Sequence, residues 1–510
     1  VTNSKRAQQV ALLFATFVIA ICGLVYELLA GTLSSYLLGD SIYQFSLVIG
    51  LFMSSMGIGS WFSRFIEQEL PANFVKLQLF VGLLGGLTAP LLFFAFAILD
   101  NYTPLLFLLV LLLGGMLGVE IPLIIRILKE HASLKINLSN VFTADYIGAL
   151  IAALLFPLVL IPQLGLLQTG FLFGLLNVGV GLLALYVFRQ QVPNLGRLAL
   201  LAAATLAILT GGFAYSDSFT GSMESRLYQD EIIHAQDTDY QRIVLTRRQQ
   251  RIRFYINGAL QFDSHDEYRY HESLVHPALG MVRNPQQVLI LGGGDGLAIR
   301  ELLRYEAIEQ ITLVDLDPAV TTLFAGNARL RQLNKDSLSH PKVTTLNQDA
   351  WKFLEQNETL FDVVLIDLPD PNNPSLSRLY STSFYKLLKQ HVSQQGVIVT
   401  QATSPLYARE AFWSIEKTLA QKTNGESWQT LPYHTYIPSF GEWGFVMASR
   451  QRLNPDNIQL SLEHRYLQQS MLPQLFQFAP DMAQADVEVN QITTHPLLQY
   501  YESGWAYWYE

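Results

Sequence analysis

The chain has 510 residues, half of them apolar and only 15% charged, with a formal net charge of −9. That length exceeds one ordinary domain, and the charged share falls below the roughly 25% of a soluble protein. The acidic balance argues against nucleic acid as a partner and suits a cationic substrate, while the single cysteine, Cys22, leaves neither a disulfide framework nor a thiolate metal site.

Almost all of the apolar excess lies between residue 8 and about residue 215, in seven runs: about 10–32, 44–62, 77–98, 104–125, 142–161, 165–187 and 198–215. Each is near the ~20 residues needed to cross a bilayer. Six runs follow the first with no hydrophilic mature region between them, so a signal peptide does not explain it. Cys22 lies inside that first run and reads as a small buried apolar residue. Residues 1–215 are therefore expected to form a multi-pass transmembrane helical bundle, with the lipid bilayer as partner and the cell inner membrane as location.

Lys5, Arg6, Arg64, Lys76, Arg126, Lys129, Lys135, Arg189 and Arg197 flank the runs, and the connections near Asp40, Asp100 and Pro162 carry no Lys or Arg. The positive-inside rule then places the amino terminus in the cytoplasm. Seven crossings would leave the residues after 216 outside. Either the weakest run, 198–215, does not fully cross, or the half of the chain that follows it faces outward. Gly82/Gly86, Gly114/Gly118 and Gly170/Gly174 have the spacing that lets helices approach closely in lipid. Glu27, Glu120 and Asp145 lie within or at the ends of apolar runs, where a carboxylate either serves a cation path or hydrogen-bonds between helices.

From Ser216 the composition becomes that of a soluble protein. Residues 216–283 read as a linker and small β region, with a hairpin over 241–262 and a turn at Asn257-Gly258. Strand and helix signals then alternate: strands at 287–291, 311–315, 343–347, 362–367 and 396–401, and helices at 297–305, 318–328, 350–356 and 382–391. Such alternation predicts a mostly parallel sheet with helices on both faces, over 284–510 with a C-terminal helical extension. Ligands in such sheets bind beyond the carboxyl ends of the strands.

Val288 to Gly296, VLILGGGDG, ends a buried strand in glycines that let the backbone approach a ligand at a helix amino terminus. The G-x-G-x-x-G pattern is absent, because the sixth position from Gly292 is Leu297 and from Gly294 is Ile299, which disfavours NAD. Asp315 in VDLDP stands where an acid accepts hydrogen bonds from ribose hydroxyls, and Asp317, before Pro318, suits a helix cap. Asp349 follows the third strand, where it could meet an adenine amino group. Asp367 and Asp370 flank Leu368-Pro369 in a rigid turn. A pocket with Asp295, Asp367 and Asp370 and no nearby fixed cation is suited to amines, and no His or Cys strengthens a metal reading.

These residues carry a specific resemblance. YQRI at Tyr240 to Ile243, NGALQ at Asn257 to Gln261, DEYRYHE at Asp266 to Glu272, GGGDG, VDLDP, QDA at Gln348 to Ala350, DLPDP and LYSTSFY at Leu379 to Tyr385 resemble the spermidine synthase family of polyamine aminopropyltransferases. GLVYELLAG around Glu27 and TADYIGAL around Asp145 resemble its membrane-embedded variants alone.

The resemblance implies a Rossmann-like, methyltransferase-type α/β domain. Its activity would be transfer of an aminopropyl group from decarboxylated S-adenosylmethionine, a co-substrate, with no permanently bound cofactor and a homodimeric assembly. It further implies Asp367 as catalytic acid with Tyr270 beside it. Gln241, Gly292, Gly294, Asp295, Gly296, Asp315 and Asp349 would form the donor site, and Asp370, His271 and Gln261 the acceptor site. Leu368-Pro369 departs from the small hydroxyl residues usual between the two acids and leaves the acceptor undecided. Tyr436 to Phe445, YIPSFGEWGF, aligns ambiguously with the family's gate. Methyl transfer from ordinary S-adenosylmethionine, and a polyamine transporter or sensor with a non-catalytic nucleoside fold, are the alternatives.

Overall fold

The apolar runs fold as helices α1 (Thr2–Leu38), α2 (Ser41–Phe62), α3 (Leu70–Ile98), α4 (Thr103–Leu128), α5 (Leu134–Leu155), α6 (Ile161–Val187) and α7 (Leu195–Tyr228). A computed structural model describes residues 2–38, 41–99, 102–129, 134–228 and 230–509. The chain divides into two units, Val1–Ile232 and Ile233–Glu510.

Among the described residues, six helical stretches in the first unit are long and apolar enough to cross a membrane, one of them the 53 residues Lys135–Val187. The difference from seven runs arises there, because a π-helical turn, Phe156–Leu160, joins α5 to α6. A straight helix of that length would span ~80 Å, far beyond a bilayer core of ~30 Å. The stretch is not straight. Gly165 has φ 67° and ψ −175°, and Thr169 Oγ1 donates to Leu160 O at 3.4 Å, whereas nine residues of straight helix would hold them ~13 Å apart. The chain bends sharply there, at a residue without a Cβ to oppose a positive φ.

Glycines set the helix crossings. A Cβ on Gly82 would lie 2.7 Å from Gly174 O, and one on Gly114 2.7 Å from Phe52 O, so α3 meets α6 and α2 meets α4 backbone to backbone. Helix α7 continues to Tyr228, so residues 216–228, expected as linker, are helical.

In the second unit, β1 (Glu231–Asp237), β2 (Arg242–Arg248), β3 (Arg251–Ile256) and β4 (Ala259–Asp263) form an antiparallel meander. The hairpin expected over 241–262 is its centre, and Asn257 at φ 50° with Gly258 at φ 82° makes the turn between β3 and β4. Helix α8 (Glu267–Met281) follows.

The main sheet has seven strands in the order β10-β11-β9-β8-β5-β6-β7. Strands β5 (Gln287–Gly292), β6 (Gln310–Asp315), β7 (Val343–Asn347), β8 (Phe361–Asp367) and β9 (Val392–Gln401) run parallel, and β10 (Gln429–Ile437) and β11 (Gly441–Ser449) add an antiparallel edge. Helices α9 (Leu297–Leu302), α10 (Pro318–Gly326), α11 (Ala328–Asn334) and α12 (Ala350–Gln356) lie among the first strands. Side chains alternate across the sheet. Leu289, Leu291, Val364 and Ile366 fill one core while Val288, Ile290, Val363 and Leu365 fill the other. A strand buried on both faces reads as an unbroken apolar run, which is why VLIL was legible. Beyond β11 the chain is mostly irregular until helix Pro496–Tyr509, where a helical extension was expected.

The chain builds β5 to β7 in one direction and returns to add β8 and β9 on the other side. The strand order therefore reverses between β5 and β8, at whose carboxyl ends a crevice opens.

Candidate active site

Gly292 and Asp367 are register partners at the crevice, the last residues of β5 and β8. A Cβ on Gly292 would lie 2.1 Å from Asp367 O, and one on Gly293 3.0 Å from Asp367 Oδ2, so only glycine lets the loop pass. Gly292, Gly293 and Gly296 adopt φ of 80°, 69° and 77°. Gly294 N donates to Asp315 Oδ2 at 3.0 Å, and Asp317 N to Asp315 Oδ1 at 3.0 Å, which orients the acid ending β6. Burial lifts Asp315 to about 6 against these two bonds.

Asp317 caps α10 through Ala319 N at 2.9 Å and accepts a hydrogen bond from Thr238 Oγ1 at 2.7 Å. Thr238 Oγ1 also accepts from Gln241 N at 3.0 Å, so the loop carrying Gln241 is fastened next to Asp315.

Tyr270 OH donates to Asp367 Oδ1 at 2.5 Å from α8. Asp295 Oδ1 caps Leu297 N at 2.8 Å. Burial raises Asp367, opposed by the charge of His271 and the bond from Tyr270. Burial also lifts Asp295 to about 6, with His271 opposing and Asp367 reinforcing the rise. Asp370 accepts from Gln401 Nε2 at 3.2 Å and from Thr403 Oγ1 at 3.2 Å. Burial lifts it to about 6 against hydrogen bonds from Tyr501, Gln401 and Thr403. The charges of Asp367 and Asp370 both bear on Tyr270 and on Tyr380, so the two acids face one space.

One expectation needs correction: the pocket does hold a fixed cation. His271 Nδ1 lies 2.9 Å from Glu267 Oε2 and 2.8 Å from Glu267 O, which leaves the other ring nitrogen free of that pairing. Burial alone would lower its pKa, but Glu267, Asp295 and Asp367 together raise it to about 9. Glu267 is gripped on its other side by Arg300, whose Nη1 and Nη2 each donate at 2.9 Å. Arg300 Nε reaches Glu301 Oε1 at 2.9 Å. Charge thus alternates from the pocket into the protein, and the acids' cationic neighbour is a histidine rather than an arginine.

Asp349 also has partners within the protein. It caps α12 through Lys352 N at 3.1 Å and forms an ion pair with Arg378. Gln261 Nε2 donates to Ala259 O at 3.1 Å, within its own turn of chain.

Several residues that bear on the site escaped the sequence reading. Gln401 Nε2 donates to Leu368 O at 2.7 Å, and Tyr380 OH to Pro369 O at 3.0 Å, so both clamp the turn between the two acids. Gln401 ends β9 at the same sheet rim, and that position was the available signal. Thr403, a β-branched residue at φ 56°, is strained backbone held at a site, which no pattern announces. Tyr501 arrives from the C-terminal helix. The 436–445 segment is the β10–β11 turn, fastened by Ser439 N and Oγ to Asp266 at 2.7 and 2.9 Å. It sets Phe440 6.3 Å from the Tyr270 ring.

The fold and site define an α/β domain with buried acids gathered at the rim where the strand order reverses. Residues 267–459 match the Spermine/spermidine synthase domain. A polyamine aminopropyltransferase of Leptospira interrogans is 46% identical over 98% of this chain and 99% of that protein. One of Ralstonia nicotianae, polyamine aminopropyltransferase 2, is 47% identical over 97% and 98%, and one of Oceanobacillus iheyensis 39% over 99% of both. The chain belongs to the polyamine aminopropyltransferase family.

Proposed function

We propose that the enzyme moves the 3-aminopropyl group of decarboxylated S-adenosylmethionine to a primary amine of a di- or polyamine such as putrescine. The observation that carries this reading is the Tyr270–Asp367 pair beside Asp295 and Asp370, at the rim where the strand order reverses. The donor's nucleoside lies along the glycine loop, with Gly292, Gly294 and Gly296 allowing close approach and Gln241 and Asp315 at the ribose. Asp295 faces the donor's free ammonium and would repel the carboxylate of ordinary S-adenosylmethionine. Asp349, oriented by Arg378, lies at the adenine edge. Asp370, His271 and Gln261 line the acceptor side.

An alkylammonium has a pKa of about 10.4 and is protonated at neutral pH, so the attacking nitrogen must first lose a proton. Asp367, raised by burial, accepts it, with Tyr270 fixing the carboxylate. The freed lone pair attacks the carbon next to the sulfonium, and the C–S bond breaks. Its electron pair stays on sulfur as neutral methylthioadenosine. No proton is needed by the leaving group, so alignment of the two substrates supplies much of the acceleration.

The first unit is the membrane part, with Gly165 dividing Lys135–Val187 into two crossings, seven in all. Assembly as a homodimer belongs to the same proposal. Mass spectrometry of products from full-length enzyme, donor and an amine panel tests the chemistry. The expected outcome is an acceptor heavier by one aminopropyl group plus methylthioadenosine, lost by 10²–10⁴-fold in kcat for Asp367→Asn. Methylated amine from ordinary S-adenosylmethionine would refute it.

A further inference from the structure

Deep in the bundle, Glu120 is 2% exposed and accepts a hydrogen bond from Gln78 Nε2 at 2.7 Å. Among the described residues no lysine or arginine forms an ion pair with it. Among the described residues the oxygen of the same amide, Gln78 Oε1, has no hydrogen-bond partner. Among them too, the fully buried Asn177 lacks a partner for both Oδ1 and Nδ2, and Tyr26 OH is unpartnered.

These groups lie together. A Cβ on Gly181, one turn after Asn177, would sit 3.3 Å from Gln78 Cβ. One on Gly82, one turn after Gln78, would sit 3.1 Å from Asn177 Cβ, so the two amides lie diagonally across one α3–α6 crossing. Tyr26 abuts Gly85, two turns along the same face of α3, at 2.5 Å from its added Cβ. One turn earlier on α1, Cys22 Sγ points at Phe173 O at 3.7 Å, one turn before Asn177 on α6.

Unpaired polar atoms and an unpaired carboxylate in an apolar interior are costly, and a carboxylate inside a membrane needs a counter-charge or a proton. The unpartnered atoms are mostly oxygen, Gln78 Oε1, Asn177 Oδ1 and Tyr26 OH beside the single nitrogen Asn177 Nδ2, and they lie near the Glu120 carboxylate. Carboxylate and amide oxygens match a bare cation's demand for hard ligands or the N–H donors of an ammonium head. We propose that Glu120, Gln78 and Asn177 form an intramembrane site for one small, desolvated monovalent cation. An alkali ion and an alkylammonium head share that chemistry.

Full-length enzyme in lipid nanodiscs would be titrated with Na⁺ and, separately, with methylammonium, following carbodiimide modification of Glu120 by peptide mass spectrometry. The reagent attacks a protonated carboxyl in an apolar site, and a bound cation displaces that proton. At least fivefold slower modification, saturating at one cation per chain, is expected. Protection by Na⁺ alone identifies an alkali-ion site, and protection by methylammonium an ammonium site. Saturable binding should also vanish in Glu120→Gln and weaken in Asn177→Leu while methylthioadenosine production persists, which shows the chain is folded. Modification indifferent to both cations, or equal binding by Glu120→Gln, overturns the proposal and leaves the amides holding only buried water.

Discussion

Glu267 stands one helical turn before His271 and holds it cationic with Arg300 behind, although neither Glu267 nor Arg300 belongs to a reacting group. Replacing it by Gln removes the charge that raises His271 to about 9, so the ring becomes neutral near pH 7. Asp367 and Asp295 then lose a nearby cation and bind protons more readily. The acid limb of kcat/KM against pH is expected to move upward by about one unit, and a uniform drop with an unshifted limb would refute this positioning role. His271→Gln should move the limb the same way.

Asp370 shows the opposite side of the same design. Its folded pKa, about 6, lies above its ordinary value of 3.8, so the folded state binds more protons than the unfolded one between those values. Stability therefore falls as pH rises through that window, and at pH 7 the ionised carboxylate costs about 1–3 kcal/mol in the substrate-free enzyme. Asp370→Asn should raise the melting temperature by a few degrees while weakening amine binding at least tenfold. A lower melting temperature would show that its hydrogen bonds outweigh the buried charge.

At the scale of elements, glycine spacing in the bundle and glycine runs at β5 have one cause, backbone approaching backbone. Gly82→Val would force a side chain to within 2.7 Å of Gly174 O, which a rigid helix cannot yield. Loss of about 1–3 kcal/mol is expected, read as a lower thermal midpoint of the detergent-solubilised chain, while Gly179→Val, at a position with open space around its Cβ, should be neutral.

The parallel strands were legible because burial on both faces writes them as VLIL and VVLI, and the GGGDG, VDLDP and DLPDP acids because they follow strand ends. The cap and the ion pair of Asp349 escaped the sequence reading for a local reason. Its position next to Lys352 N and Arg378 gives it a cap and an ion pair at once, and Arg378 is distant enough in sequence to carry no signal. The strand β1 and the helical character of 216–228 were missed because their composition is polar.

For the whole molecule, an odd number of crossings sets the amino terminus and the residues after 228 on opposite faces of the bilayer, and an even number on the same face. Helix α7, with 22 residues of span composition, is long enough to cross, and the bend at Gly165 splits the 53-residue stretch. Reporter fusions at residue 1 and at the carboxyl terminus, read for periplasmic against cytoplasmic activity, are expected to report opposite faces. Agreement between them would reduce the count to six.

Sequence alone determined the apolar helices, the parallel sheet and the position of the acids at its strand ends, because burial period and strand-end glycines are local signals. Tertiary structure decided the rest. It brought His271 with its Glu267–Arg300 support against Asp367, brought Gln401, Thr403 and Tyr501 onto Asp370, and set Glu120 against Gln78 inside the bundle. Those pairings join residues tens to more than a hundred positions apart, and a residue's charge state follows from its neighbours in space.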